Sequence, residues 1–316
     1  RQTLYCHIRP RSGCGGDGIL ARIMAPSPRL QSGYARHFQP FSLLPRRRAV
    51  RHALLARSSE RPDLSHLSRF RIGLWCIQRA KPGKMRYNRP VMFYRICKSV
   101  YMVGGGELSD GKDCLIYLLD FGDLILVDCG SGDSWARIKD NIAEAGFDPA
   151  NLHTLVLTHG HIDHMGAAFE IRNETGCRVV AHQGDQEVIE SGDERRSAAD
   201  WYGISLAGVP VDHVMTGKSE NLEFALGTLS LLHTPGHTPG SIVGVVDTDD
   251  GHRVLFGQDL HGPFASIFGS DIDVWKKSMR DLIAVSADIL CEGHYGVFRG
   301  EEAVREFIED HLAQHP

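Results

Sequence analysis

The sequence predicts an α/β fold, and three observations predict it. Apolar runs of strand length recur from residue 93 to residue 292. Between and after them lie longer stretches with apolar residues at helical spacing. Strand-rich stretches occur in two successive sets, each followed by helical segments, which is the pattern of strands and helices sharing layers.

The elements follow in order. Residues 93–103 alternate like a strand, and Gly104-Gly105-Gly106 breaks it. Residues 114–119 and 124–127 are strands joined by the hairpin turn Asp120-Phe121-Gly122-Asp123. Residues 134–145 carry Trp135, Ile138, Ile142 and Ala145 at helical period, closed by Gly146. The apolar run Leu155-Val156-Leu157 is a buried strand entering Thr158-His159-Gly160-His161-Ile162-Asp163-His164. A helix over 165–173 ends near Gly176, and its N-terminus beside His164 would favour an anion. Residues 178–182 form a strand tipped by His182, an extra ligand or, more simply, a supporting or surface histidine. Residues 190–220 read as an irregular insert. Strands at 228–232, 241–246, 253–256 and 289–292, with helices at 272–282 and 301–311, complete the pattern.

Charge divides the chain. Residues 1–90 hold 19 of the 35 Lys and Arg but only Asp17, Glu60 and Asp63 among acids. The remainder holds 16 basic and 36 acidic residues, net −20, which argues against a nucleic-acid backbone as its partner. Residues 1–84 show no clear apolar period, and Arg outnumbers Lys 17 to 2 over 1–90. This segment is expected to be a disordered, vector-derived or upstream-translated extension, with a native start at Met85 or Met92. A transit peptide or basic arm is the alternative. The catalytic domain is expected over 85–316.

Eight scattered cysteines with no C-x-x-C pair suggest reduced, buried thiols and a cytoplasmic protein. Cys129 and Cys291 stand next to site motifs, either near the centre or simply as small buried residues. No run is long and apolar enough for a membrane span or signal peptide. A small-molecule substrate is expected, with neither nucleic acid nor membrane as partner; a homo-oligomer is compatible with the sequence.

The histidine-rich loop carries the chemistry. In near-extended chain, residues two apart point the same way. His159 and His161 can therefore grip one cation while Asp163 and His164 reach a second. Imidazole and carboxylate suit Zn²⁺, with Fe²⁺ and Mn²⁺ as rivals. Chance histidines on a polar loop are the plainer alternative, but three further ligands follow strand ends: His237 in a Pro/Gly-rigid turn, Asp259 after Val254-Leu255-Phe256, and His294 after Ile289-Leu290-Cys291.

In the order HxHxDH, His, Asp, His, the chain resembles the metallo-β-lactamase-fold hydrolase superfamily over roughly residues 93–314. Within it, the chain is most similar to the glyoxalase II-like and acyl-homoserine-lactonase-like branch. The resemblance implies a four-layer αββα sandwich with the ligand loops converging at one edge. It implies His159, His161 and His237 on one metal, Asp163, His164 and His294 on the other, and Asp259 bridging. It also implies that Asp128, ending the strand 124–127, supports a ligand loop; a simple strand-end turn is the alternative reading.

The activity so implied is that of a dinuclear zinc hydrolase of a small ester, thioester or lactone, acting through a metal-bridging hydroxide with Asp163 handling its proton. The same chemistry fits a phosphodiester or phosphotriester hydrolase, and a mononuclear-iron persulfide dioxygenase shares a similar ligand set. Two departures from the branch are visible. Only 22 residues follow His294, too few for the glutathione-binding extension of glyoxalase II. No Tyr follows Asp259 closely, as it does in the lactonases, but His261 does. A neutral His261 is expected either to donate to the substrate carbonyl oxygen or to turn outward into solvent. Trp201, Tyr202 and Phe264 are the expected pocket wall; Trp201 and Tyr202 would equally serve as packing residues of a small helix.

Overall fold

Thirteen strands among the described residues fall into two sheets. The computed structural model describes residues 91–257 and 259–316, so the Arg-rich segment 1–84 lies outside the described residues. The first sheet runs β1 (Tyr94–Cys97), β2 (Val100–Gly104), β3 (Ile116–Asp120), β4 (Leu124–Val127), β5 (Leu152–Val156), β6 (Arg178–His182) and β7 (His213–Met215), in that spatial order. The second comprises β8 (Ser219–Phe224), β9 (Gly227–His233), β10 (Ile242–Asp247), β11 (Arg253–Gly257), β12 (Ile289–Glu292) and β13 (Val297–Arg299), ordered from β13 back to β8. The helices are α1 (Trp135–Glu144), α2 (Ile162–Met165), α3 (Ala168–Thr175), α4 (Gln183–Ser191), α5 (Ala199–Tyr202), α6 (Ile272–Ile283) and α7 (Glu301–Ala313).

Side-chain alternation builds four layers. On β4, Leu124 and Leu126 point to one face and join Trp135, Ile138 and Ile142 of α1 and Ile171 of α3. Ile125 and Val127 point to the other and join Leu229, Leu231 and Phe256 of the second sheet. That sheet turns Val243, Leu255 and Leu290 outward against Trp275 and Met279 of α6 and Phe307 and Ile308 of α7. Each such side chain, fully buried, contributes roughly 1.5–3 kcal/mol. The expected αββα sandwich is the observed architecture.

Strand direction decides where the site falls. β4, β5 and β6 are mutually parallel, and β11 and β12 are parallel. Parallel neighbours end at the same edge, so their C-terminal loops gather there. The two sheets are tied at this edge by Ile242 N donating to Thr158 O (2.9 Å) and Leu115 N donating to Gly293 O (2.7 Å).

Several elements differ from the sequence reading. The single strand expected over 93–103 is the hairpin β1–β2, which turns at Lys98-Ser99 with a register shift between Arg95 and Cys97. The helix expected over 165–173 starts earlier, as the one-turn α2, and restarts as α3. Asp163 and His164 therefore sit on α2 itself, and a four-residue turn sums too few peptide dipoles to act as the anion-favouring terminus expected there. The insert expected over 190–220 holds α5, β7 and the start of β8; α5 and β7, at four and three residues, are too short to show a period, and β8 is largely polar. The helix α4 was not anticipated; it begins at His182, which caps it by accepting from Gly184 N at 3.1 Å.

Candidate metal centre

The loop after β5 brings His159 and His161 to the edge, and the Thr234–Ser241 loop between β9 and β10 brings His237 against them. That second loop is set by close packing: Gly236, at φ +134°, lies so near Trp275 that a Cβ there would stand 2.3 Å from the Trp275 Cα. Ser270 Oγ holds the loop by donating to His237 O at 2.6 Å. Three buried imidazole nitrogens result, His159 Nε2, His161 Nδ1 and His237 Nε2, at mutual distances of 3.0, 3.2 and 2.9 Å.

Asp259, at the end of the β11 strand's loop, stands beside them. Its Oδ2 is 3.6 Å from His237 Nε2. Its Oδ1 turns the other way, 3.1 Å from both His164 Nε2 and His294 Nε2. Asp163 Oδ2 completes this second group, 3.3 Å from His294 Nε2 and 3.8 Å from His164 Nε2. His159, His161, His237 and Asp259 thus form one cluster fit for a metal ion, and Asp163, His164 and His294 another.

The donors fit cations better than they fit one another. A tetrahedral Zn²⁺ with N ligands at 2.0–2.1 Å spaces its donors by about 3.3 Å, close to the separations of the three nitrogens. His164 Nε2 and Asp259 Oδ1 are buried and face each other, yet neither has a hydrogen-bond partner. Burial lowers His161 to about 4, and lowers His159 and His237 well below their ordinary range, so all three present lone pairs. In the second group burial opposes protonation too, but Cys114 and the carboxylates of Asp259, Asp128 and Asp163 outweigh it and hold His164 high. Asp259 and Asp163 do the same for His294. That proton demand is what a cation would replace.

The supporting residues are as ordered as the ligand types. Asp128 Oδ2 accepts from His164 Nδ1 at 2.8 Å, while Thr158 N and Oγ1 donate to its two oxygens at 2.8 Å each. Asp128 itself sits in the turn at φ +61°. Asp185 is the residue that the sequence reading missed most plainly. Its buried carboxylate accepts from Gly160 N (2.9 Å), Thr238 Oγ1 (2.7 Å) and Gly240 N (2.7 Å), pinning the two histidine loops to each other. Nothing in QGDQ marks it beforehand, because its partners lie up to 55 residues away. Glu292 was also missed: it is fully buried and binds the backbone N–H groups of His294 and Tyr295 at 2.6 and 2.7 Å.

The remaining candidates surround the centre. His261 Nδ1 lies 2.9 Å from Glu292 Oε1, and its ring packs edge-on against those of His294 and Tyr295, so it is not turned loose into solvent. Phe268, unforeseen, places its ring 4.4 Å from that of His161, and Trp201 packs tilted against it at 5.0 Å. Trp201 is 58% exposed. Tyr202 is half-buried; burial, then Asp163, pushes its phenol pKa upward. Phe264 lies between the His237 and Trp275 rings. His182 is no part of either cluster; it stacks on His233 at 3.6 Å. Cys114, rather than the two cysteines singled out from the sequence, groups with His164 and Asp128. Cys129 Sγ donates to His164 O, and Cys291 lies in the core between the sheets.

Two sheets back to back, clad in helices and meeting at an edge of histidines and aspartates, define a class of metal-binding hydrolases. The chain belongs to the metallo-beta-lactamase superfamily, whose family model matches residues 110–294. Members of that superfamily are metal-dependent hydrolases. A probable metallo-hydrolase of Bacillus subtilis, YqgX, is 33% identical over 111 residues, 35% of this chain and 50% of that protein. The hydroxyacylglutathione hydrolase GloC of Haemophilus influenzae is 34% identical over 112 residues, again 35% of this chain and 50% of that protein. The chain thus spans about half the length of these curated relatives. A HARLDQ-motif mutant of a metallo-beta-lactamase from Cronobacter sakazakii shares the fold, with a TM-score of 0.61 at 22% identity over 71% of this chain and 95% of that one. Among the described residues, no helix is long and apolar enough to cross a membrane.

Proposed function

We propose that this protein is a dinuclear zinc hydrolase of a small ester, thioester or lactone. The observation that carries the reading is Asp259, which turns one oxygen to each ligand cluster. Two cations held there would supply a water of low pKa and polarise a substrate carbonyl. His159, His161 and His237 would hold one, and Asp163, His164 and His294 the other, with Asp259 shared. Asp163 Oδ2, facing His294, orients the attacking water and takes its proton, then returns it to the leaving oxygen or sulfur. Trp201, Phe268 and Phe264 cover the three-histidine side and would exclude water from an apolar acyl group. The excess of acids in residues 91–316 supports a small substrate over a nucleic-acid backbone.

The test joins metal analysis with a substrate panel. Protein purified without chelator is expected to hold two zinc per chain and to turn over an ester, thioester or lactone. Turnover of phosphoesters alone would move the reading to phosphorus chemistry. One iron per chain with oxygen uptake would replace it by a dioxygenase.

A further inference from the structure

We propose that Asp113 is the positioning residue of the second ligand cluster, serving Asp163, His164 and His294 as Asp185 serves the three-histidine cluster. The proposal rests on the two-cluster reading above and gives each cation its own support.

The residues that belong to the second cluster alone are held by their backbone. Cys114 N donates to Asp163 O at 3.2 Å, and Leu115 N donates to Gly293 O, next to His294, at 2.7 Å. His164 O accepts from Cys129 N at 2.8 Å and from Cys129 Sγ at 3.1 Å. All these donors lie on two short segments. Residues 114–115 precede β3 and Cys129 follows β4, so both segments lie just outside the sheet.

Asp113 ties the two segments together. It directly precedes Cys114, and its carboxylate is buried. Oδ1 accepts from Ser131 N at 2.8 Å and from Ser131 Oγ at 2.9 Å, two residues past Cys129. Oδ2 accepts from Ser109 Oγ at 2.6 Å and from Ser134 Oγ at 2.5 Å. Ser134 occupies the N-cap position of α1, yet its hydroxyl makes no cap bond and goes to Asp113 instead. The backbone between Cys129 and Ser131 passes so close that a Cβ on Gly130 would stand 2.6 Å from Asp113 Oδ1. Ser131 in turn presses on the end of α2, where a Cβ on Gly166 would stand 2.3 Å from Ser131 C. Contact therefore runs unbroken from the carboxylate to the helix that carries Asp163 and His164.

Asp185 makes the matching tie on the other side. Its partners Gly160 N, Thr238 Oγ1 and Gly240 N flank the three histidines. The two aspartates share no partner. Loosening one should disturb one cluster and spare the other, which a general loss of stability would not do.

Wild type, Asp113→Ala and Asp185→Ala, each as the full chain, decide it by two measurements. The first is amide hydrogen exchange, followed by NMR on the metal-free proteins, where local openings are visible. Asp113→Ala is expected to speed exchange at Cys114, Leu115 and Cys129 and to leave Gly160 and Gly240 as in wild type. Asp185→Ala is expected to do the reverse. The second is loading with Co²⁺, with affinities taken from competition against a chelating dye. Paramagnetically shifted ring signals tell the sites apart, since three imidazoles serve one cluster and two the other. Asp113→Ala is expected to weaken the two-imidazole ion about 10–100-fold, the range for groups that orient ligands, with the other ion unchanged. Asp185→Ala should weaken the three-imidazole ion instead. Asp113→Asn should restore the second ion, because Ser131 N still meets an oxygen and the hydroxyls of Ser109 and Ser134 can turn to accept from the new NH₂. If Asp113→Ala fails to fold, Ser134→Ala keeps the carboxylate and is expected to weaken the same ion alone, by a smaller factor.

A second ion unaffected in the folded variant, both ions weakened alike, or faster exchange on both sides at once overturns the proposal. So does a loss in Asp113→Asn as large as in Asp113→Ala, which would make charge rather than the tie decisive. Wild type taking a single Co²⁺ would instead overturn the two-cluster reading. Exchange in the metal-free proteins would then still decide whether Asp113 and Asp185 act on separate sides.

Discussion

Asp128 and His164 share a buried hydrogen bond, 2.8 Å from Oδ2 to Nδ1, that turns the other ring nitrogen toward Asp259. Asp128→Asn would put a neutral amide where the carboxylate stood. Outer partners of this kind typically tune metal affinity 10–100-fold. The expected outcome is a second cation bound 10–100-fold more weakly, with the first retained, as read by competition against a chelating dye. Equal loss of both cations would mean that Asp128 acts on the whole edge rather than through His164.

Asp259 offers a more severe case. Among the described residues it is the one carboxylate whose two oxygens face both clusters. In Asp259→Ala the clusters lose their common member, and turnover is expected to fall by at least about 10³, on the scale of losing a key electrostatic group. Metal content should drop below two per chain. Near-normal activity with two metals bound would contradict the bridging assignment.

Much of this centre could be read in the sequence, for a physical reason. The histidines and Asp163 lie within six residues, and spacing alone brings them together. His237, Asp259 and His294 each follow an apolar strand, and strand ends are visible as the point where an apolar run stops. What sequence did not disclose were residues defined by remote partners. Asp185 and Glu292 are acids in ordinary polar surroundings along the chain, and only the folded edge surrounds them with N–H groups. Phe268 reaches His161 across more than a hundred residues. The edge strands β7 and β8 went unread because β7 is only three residues long and β8 is largely polar, so alternation is faint in both.

Asp185 should therefore matter to stability more than its sequence context suggests. Asp185→Ala leaves Gly160 N and Gly240 N without acceptors inside the protein, at roughly 1–3 kcal/mol each. Denaturant unfolding of the metal-free variant is expected to show a loss of about 3 kcal/mol or more. Asp185→Asn, which keeps one acceptor oxygen, should fall between the two. A loss under about 1 kcal/mol would show that the loops do not depend on this tie.

His182 predicts an acid sensitivity. Burial, and then its neighbour His233, lowers it to about 4. Below its ordinary 6.5 the unfolded chain takes a proton that the folded chain refuses until about pH 4. Stability from this residue is therefore unaffected above pH 6.5 and falls as pH drops from 6.5 to 4. Between pH 7 and 4.5 the contribution is on the order of 2 kcal/mol. His182→Asn keeps an acceptor for the α4 cap and removes the titrating ring. Urea unfolding of the metal-free proteins at both pH values is expected to show the variant losing less stability on acidification, by an amount on the order of 2 kcal/mol. Equal losses would remove His182 from the account.

The division of donors between the sheets has a mechanical meaning. His159, His161, Asp163 and His164 hang from the seven-stranded sheet, and His237, Asp259 and His294 from the six-stranded one. Each cluster draws on both, so neither half of the chain owns a complete chelate. Ions bound there would rivet the sandwich shut along one seam. Prying the sheets apart would then release the ions, and free metal in solution would resist the prying by mass action, as RT ln(1 + [M]/Kd). Scarcity of metal would be felt first as a seam that opens, before any strand unravels.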